Sequence, residues 1–368
     1  MKELKQIVLV LLLAVLYAKF LVQIVLDESN LLLDLLLYTL LFVSLIDRKI
    51  RPELFIVFFF ALISAVNPAS KNIFLIFATV YALREFSIRE LATINLCMQT
   101  VLFSTTCLML ISGTIHSEMF MQTLMDQRER WDFGYGNPNT FALFIYSIAV
   151  NFYILFIRHY PKLTVLSILI LALSVYAYTK SRTFLVAMLI LILVTWILKN
   201  KSLQKNILTH RWSLYLIPGC FMWCILAFSL GIDQYRLLDF IFSGRLQLYN
   251  AFLGGIDKTA YLIGTPLVNE DTIDSSYLHI LFEGGALAFI IFYLLYIVTI
   301  RRMNTQNVFI LPVLLSFLAF GLSESLFTFV LIFGNMIVWS ILYREGGSKR
   351  HEPLPHACEN NRIHSPIE

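Results

Sequence analysis

The sequence predicts an all-α, polytopic membrane protein, and its composition and its apolar runs are the observations behind that fold class. Of the 368 residues, 58% are hydrophobic and 14% are charged, whereas soluble globular chains are roughly 45–50% apolar and about 25% charged. The mean hydropathy is +0.76. A soluble domain cannot enclose this much apolar surface, so the lipid bilayer must be the solvent for most side chains.

Twelve apolar segments are predicted to be transmembrane helices, because a span needs about 20 mostly apolar residues. The first ends at Asp27-Glu28 and is predicted to be an uncleaved span, since a signal peptide has a core of about 7–15 residues. The third and fourth spans are short and flank Pro68, which favours either a tight helical pair or a broken insertion. The predicted spans are 7–26, 31–46, 54–66, 73–83, 91–111, 140–157, 163–178, 184–198, 213–230, 277–300, 308–322 and 326–343.

The distribution of lysine and arginine predicts the orientation. With the N-terminus in the cytoplasm and alternating spans, 19 of the 28 basic residues fall in inner segments and 8 in outer ones. Both termini are therefore predicted to be cytoplasmic, in a bacterial inner membrane. Residues 1–343 form one membrane domain, and the polar segment 344–368 is predicted to be a disordered tail. Two long outer loops, 112–139 and 231–276, point to function on the outer face, because long loops on a rigid scaffold often carry it.

Three loop segments have apolar residues at helical spacing and are predicted to be short amphipathic helices at the membrane surface. They are 117–130, 233–242 and the stretch that opens at Arg245. Within the spans, Lys19 and Asp34 both lie in the outer halves of the first two helices, and we expect them to pair.

Arginines on the outer side are the first candidate functional residues. Arg182 lies in the outer hairpin 179–183, beside Lys180 and Ser181, and Arg245 opens a predicted surface helix with Ser243 as its N-cap. Guanidinium groups form bidentate hydrogen bonds to phosphate oxygens, and a helix N-terminus also favours anions. A diphosphate suits such a site. The alternative is that these arginines contact lipid headgroups.

Acidic residues near the outer ends of the late spans are the second set. Asp274 precedes the tenth span, Glu283 lies within it, and Glu324 lies in the following outer turn. Any of them can act as a general base or as an ion-pair partner of an outer arginine, and Asp274 is also a candidate N-cap. His279 is expected to be either a binding residue or a packed, hydrogen-bonded side chain.

Known phosphate-binding and metal-binding patterns are missing from the sequence. There is no Gly-x-x-x-x-Gly-Lys segment, no Gly-x-Gly-x-x-Gly segment and no His/Cys cluster with metal spacing. We therefore expect no metal, no other cofactor and no nucleic-acid partner. A transferase on the outer face has to use a donor carried by lipid, and its diphosphate would be the leaving group.

Five outer motifs occur in an order that resembles a known family. They are Gly136-Asn137-Pro138-Asn139-Thr140, the hairpin 179–183, Ser243-Gly244-Arg245, Asp274-Ser275-Ser276-Tyr277 with Glu283-Gly284-Gly285, and Glu324. In this order the chain from about 136 to 325 resembles the Wzy-type polysaccharide polymerases and the related O-antigen ligases. Its length and basic tail resemble those of capsule or exopolysaccharide polymerases.

The resemblance implies a GT-C-like fold and a metal-independent glycosyl transfer. The implied substrate is an oligosaccharide repeat unit on undecaprenyl diphosphate, with a flippase and a chain-length regulator as further partners. Arg182 and Arg245 would bind the diphosphate, and Asn137, Asn139, Tyr277 and His279 would join the substrate site. The ligases carry His-Asn where this chain has Asp274-Ser275, which counts against a ligase and makes Asp274 the candidate base.

Two alternatives remain from the sequence. One is a ligase-type transferase that attaches finished glycan to a wall or lipid acceptor. The other is a polysaccharide transporter or flippase, for which we would expect midplane charges and internal repeats.

Overall fold

The fold is almost entirely helical in the computed structural model, which describes residues 2–46, 53–121, 129–231, 245–254, 260–265, 274–328 and 333–347. The helices are α1 Lys2–Phe20, α2 Leu31–Ile46, α3 Glu53–Val66, α4 Lys71–Leu83, α5 Ile88–Ile111, α6 Pro138–Phe156, α7 Pro161–Thr179, α8 Arg182–Lys199, α9 Lys201–Thr209, α10 Trp212–Tyr215, α11 Ile217–Leu230, α12 Arg245–Gly254, α13 Ala260–Ile263, α14 Ser276–Arg302, α15 Leu311–Phe320 and α16 Phe333–Gly347. A π-helical turn, Leu21–Val25, continues α1, and 3₁₀ turns precede α4 and α15.

Seven of the described helices are long and apolar enough to cross a membrane, so the chain is an all-α, multi-pass membrane protein. The other five predicted spans correspond to shorter helices, among them α2, α3, α4 and α15. A twelve-span topology and its orientation remain predictions.

The helices α4 and α6 form the centre of the bundle. In α6, 67% of the spanning segment is buried within the protein, compared with 22% in α5. Every residue of α4 from Leu75 to Leu83 is buried. Isoleucine, phenylalanine and leucine side chains of α5, α7 and α8 remain exposed to the surroundings of the bundle, as lipid-facing helices require.

Helix α14 is broken at Gly285, whose φ of 69° and ψ of −176° are not helical. A side chain there would collide with α13, because a Cβ would lie 2.2 Å from the Leu262 carbonyl oxygen. Gly285 lies about 14 Å along the helix from Ser276, which is about half the ~30 Å thickness of a hydrocarbon layer.

The carbonyl groups freed by this break have partners, as they must in a membrane. The Thr265 backbone N–H donates to the Phe282 oxygen at 2.7 Å, and the Ser70 hydroxyl donates to the Glu283 oxygen. Ser70 ends the 3₁₀ turn between α3 and α4, which pack together as the predicted helical pair.

Two sequence predictions about the connections are wrong, and a third is not tested. Segment 117–130 is no helix where it is described, because Met119–Met121 pairs antiparallel with Glu129–Trp131 as strands β1 and β2. The helical part of the last span begins after residue 328, since 321–328 form a turn, and α16 continues to Gly347, into the predicted tail. The predicted helix 233–242 lies outside the described residues.

The expected ion pair between the first two helices is confirmed. The Lys19 ammonium contacts the Asp34 carboxylate, and this pair links α1 to α2.

Candidate functional site

A cluster of three charged side chains, Arg245, Asp274 and Glu324, brings together three segments that are distant in sequence. We call it the charged cluster. The Arg245 Nη2 atom lies 2.9 Å from an Asp274 carboxylate oxygen and 3.5 Å from a Glu324 carboxylate oxygen. The Nη1 atom of the same guanidinium donates to the Ser323 carbonyl. One arginine therefore serves two carboxylates and a carbonyl at once, which its planar, five-donor group allows.

The three members of the cluster differ in their access to solvent. The Glu324 side chain is 9% exposed and that of Arg245 is 19% exposed, whereas that of Asp274 is 33% exposed. Asp274 is thus the outer partner of the guanidinium, and Glu324 is the inner one.

The turn that carries Glu324 is fixed by Ser276, the first residue of α14. The Ser276 hydroxyl donates to the Glu324 carbonyl and accepts hydrogen bonds from the backbone N–H groups of Leu326 and Phe327 at 2.6 and 3.0 Å. The Ser276 N–H donates to the Gly321 carbonyl at 2.9 Å. Since Asp274 lies two residues before Ser276, this network holds both carboxylates at one end of the bundle.

Burial and charge act against each other at Glu324. Burial raises the pKa of its carboxyl group, Arg245 and Arg130 lower it, Asp274 raises it, and the result is a pKa of about 7. For Arg245, burial lowers the pKa, but the negative charges of Glu324 and Asp274 outweigh burial and raise it overall. Arg245 is therefore always charged, whereas Glu324 changes its protonation state near neutral pH.

A second arginine, Arg130 of β2, reaches the same end of the bundle. Its Nε donates to the Thr179 carbonyl at 2.8 Å, and its Nη2 donates to the side-chain oxygen of Asn139. The strand is positioned by the buried Asp132 carboxylate, which accepts from the Glu118 and Gly134 N–H groups at 2.8 and 3.1 Å. Arg130 thus connects the predicted Asn139 motif with the hairpin 179–183.

The hairpin 179–183 contacts the turn of the charged cluster through Thr183, whose hydroxyl lies 2.6 Å from that of Ser323. Lys180 adopts the left-handed conformation, with φ of 51°, and Ser181 is the buried N-cap of α8. Arg182 follows in the first turn of α8 and is exposed. The predicted motifs around residues 137, 182, 245, 274 and 324 therefore lie at one end of the bundle.

Glu283 and His279 form a separate group deeper in the bundle, one turn apart on α14. The His279 Nδ1 atom lies 2.8 Å from a Glu283 carboxylate oxygen, to which Thr328 also donates at 3.3 Å. The other Glu283 oxygen is buried and has no hydrogen-bond partner. Among the described residues, no hydrogen bond or ion pair joins this pair to the charged cluster, so the two carboxylate groups are distinct.

The remaining predicted residues have structural contacts. The Tyr277 side chain is fully buried, and its hydroxyl donates to the Leu318 carbonyl at 3.2 Å. Asn137 is the N-cap of α6, and its side chain accepts from the Asn139 N–H at 2.8 Å. The N-cap of α14 is Ser275, so the alternative of Asp274 as a cap is wrong. Ser243 and its predicted capping role lie outside the described residues.

Three residues of the site were not predicted from the sequence, namely Arg130, Ser276 and Tyr249. Tyr249 lies one turn after Arg245 on α12 and is fully buried. Its hydroxyl has no hydrogen-bond partner in the described part of the chain. Burial raises the pKa of this hydroxyl, and the positive charge of Arg245 offsets part of that rise. The signal for Arg130 was its place among the few basic residues of the outer segments. Ser276 and Tyr249 carried no signal, because their contacts depend on tertiary packing.

Comparison of the chain with protein-family models, with curated proteins and with solved structures gives no match. The class that the fold defines is therefore a multi-pass α-helical membrane protein with a charged cluster at one end of its helices.

Proposed function

We propose that this protein is a membrane glycosyltransferase that polymerises oligosaccharide repeat units carried on undecaprenyl diphosphate at the outer face of a bacterial cell membrane. The observation that supports the proposal most is the charged cluster. Motif residues drawn from the sequence between 130 and 324 meet there, and the order of those motifs is the one that resembles Wzy-type polymerases.

The arrangement suits the chemistry of that transfer. The bond between the anomeric carbon of the growing chain and its lipid diphosphate breaks, and a hydroxyl oxygen of the incoming unit takes its place. The Arg245 guanidinium stabilises the negative charge that develops on the leaving diphosphate, because a fixed donor in a site of low dielectric needs no reorganisation. The hydroxyl proton passes to a carboxylate, for which Asp274, the more exposed acid of the cluster, is our candidate.

A pair of variants in living cells tests this proposal. In a strain without its own copy, Arg245→Ala should leave the protein in the membrane but reduce polymer at least ~100-fold, so that single repeat units appear on the lipid carrier. Arg182→Ala should cost about tenfold, because an exposed charge is partly screened by salt.

Arg301→Ala is the matched control, since Arg301 is an exposed arginine at the far end of α14. It should make polymer of normal length. Normal long polymer from both Arg245→Ala and Arg182→Ala would refute the polymerase. Finished polymer that stays on its lipid after deletion of the protein would instead identify a ligase.

Transport is a second candidate function, and one observation favours it. Transporters commonly bind their substrates where a broken helix exposes polar groups near the midplane, and α14 is broken next to the buried Glu283. Accumulation of lipid-linked units on the inner leaflet after deletion would favour this function over the polymerase, which leaves them on the outer leaflet.

A further inference from the structure

Within the charged cluster a single guanidinium, Arg245, contacts two carboxylates. Arg130 adds a second positive charge that also acts on Glu324, while it donates hydrogen bonds to the Thr179 carbonyl and the Asn139 side chain. A diphosphate brings more than one negative charge of its own. It cannot approach Arg245 unless a carboxylate leaves or is neutralised, because like charges at this distance repel strongly in a medium of low dielectric.

The two carboxylates are not equally able to leave. Asp274 precedes α14, is the more exposed of the two and contacts the guanidinium from outside. Glu324 lies in a turn whose backbone is held by Ser276, and its side chain is almost completely buried. Asp274 can therefore move away into solvent, whereas Glu324 has to stay and can lose its charge only by taking up a proton.

From this geometry we propose that the Asp274 carboxylate occupies the place of a substrate phosphate in the empty site, and that a diphosphate displaces it from Arg245 while Glu324 becomes protonated. The inference rests on the proposed function for the nature of the ligand and adds how the site is kept closed to it. Release of Asp274 then frees a carboxylate beside the bound diphosphate, where the transfer needs a proton acceptor.

The charged groups around Glu324 determine whether it gains or loses a proton when an anion binds. Arg245 and Tyr249 face it from α12, Asp274 from the start of α14 and Arg130 from β2, while Lys180 and Arg182 lie on the neighbouring hairpin. An anion bound to Arg245 offsets part of the positive charge that keeps Glu324 ionised. Glu324 therefore takes up a proton on binding at neutral pH.

Binding of inorganic pyrophosphate to the purified full-length protein in lipid nanodiscs tests the proposal. Asp274→Asn removes the internal competitor, and we expect it to bind pyrophosphate at least tenfold more tightly than the wild type. Arg245→Gln should abolish binding. The control is Glu129→Gln, which removes one exposed negative charge next to Arg130 and should change the affinity less than twofold.

The dependence on pH supplies the second measurement. Affinity of the wild type should fall as pH rises from 6 to 8.5 relative to Glu324→Gln, which needs no proton. Because pyrophosphate itself gains charge over this range, only the ratio between the two proteins is informative. Calorimetry in two buffers of different ionisation enthalpy should show that the wild type takes up more protons on binding than Glu324→Gln, a comparison that cancels the protons exchanged by pyrophosphate itself.

Equal or weaker binding by Asp274→Asn, no binding by any of these proteins, or proton uptake by the wild type that is no greater than that of Glu324→Gln would each overturn the proposal. The outcome is separate from that of the polymerase. If pyrophosphate binds as described while Arg245→Ala cells still make normal polymer, the displacement of Asp274 stands and the proposed function fails.

Discussion

Two of the groups of charged side chains in the described part of the helical bundle are built in opposite ways. The Lys19–Asp34 pair joins two helices that are neighbours in sequence and matches one cation with one carboxylate. The charged cluster joins α12, the start of α14 and the turn after α15, and it holds two carboxylates against one arginine. The first is a one-to-one ion pair, and in the second a single guanidinium is shared by two acids.

The difference separates a structural contact from a site. A balanced pair between adjacent helices needs nothing further, and it fixes how the two helices pack. A buried acid that shares its guanidinium with a second acid costs free energy in the folded protein, because its desolvation is only partly offset there. Ionisable groups with perturbed pKa values are concentrated at functional sites, where a bound ligand or proton can offset the cost of burying them.

The largest effect that distinguishes the two groups should come from exchanging the cation without removing its charge. Arg245→Lys keeps the charge, but an ammonium group cannot donate in one plane to Ser323, Asp274 and Glu324 together. We expect at least a ~100-fold loss of polymer, close to that of Arg245→Ala, measured from the length and amount of cell-surface glycan.

Lys19→Arg is the corresponding exchange in the balanced pair and should leave the polymer unchanged. If Arg245→Lys retained normal activity, simple charge would explain the cluster, and the directional contacts of the guanidinium would be irrelevant to function.

A smaller effect concerns stability at the buried acid. The folded-state pKa of Glu324, about 7, is higher than its ordinary value of 4.5, so the folded protein binds the proton more tightly than the unfolded chain. The stabilisation is then complete below about pH 4.5 and is lost as pH rises to about 7. The melting temperature of the wild type in detergent should fall by a few degrees between pH 5 and pH 8.

Glu324→Gln should show a flatter dependence over the same range, because its amide does not titrate. Asp34→Asn, in the balanced pair, should keep the wild-type slope. An unchanged slope in Glu324→Gln would show that the acid is ionised in the folded protein throughout and would remove the basis for proton uptake.

The sequence predicted the helices of this fold well, because each apolar run has to satisfy its own backbone hydrogen bonds in a membrane. It also predicted the pairing of Lys19 with Asp34, since two unlike charges in adjacent spans have few other partners. The antiparallel pairing of strands Met119–Met121 and Glu129–Trp131 was missed. The apolar residues of this segment repeat at helical spacing over too short a length to distinguish the two periods, and tertiary contacts decided between them.

The site was predicted in its members but not in its pairing. Arg245, Asp274 and Glu324 were each selected because charge is costly near a membrane, yet nothing in the sequence showed that one guanidinium contacts both acids. Glu283 and His279 were placed in the same set from sequence proximity to Asp274. In the fold they lie deeper along α14 and bind to each other, because residues four apart share one face of a helix.

The smallest effect is expected from removing the balanced pair as a whole. Lys19→Met alone leaves the Asp34 carboxylate without its cation. Because the Asp34 side chain is 33% exposed, it can reach water, and the loss of stability should be limited to about 1 kcal/mol. The double variant Lys19→Met/Asp34→Leu replaces both charges by apolar groups of similar size, which is often neutral or stabilising. Its melting temperature should return to that of the wild type or rise above it, with polymer length unchanged in both variants.

The corresponding double replacement in the cluster, Arg245→Met/Asp274→Leu, should also fold but make no polymer. If the double variant at Lys19 and Asp34 lost polymer while keeping its melting temperature, that pair would belong to a functional site, and charge balance would no longer separate the two groups.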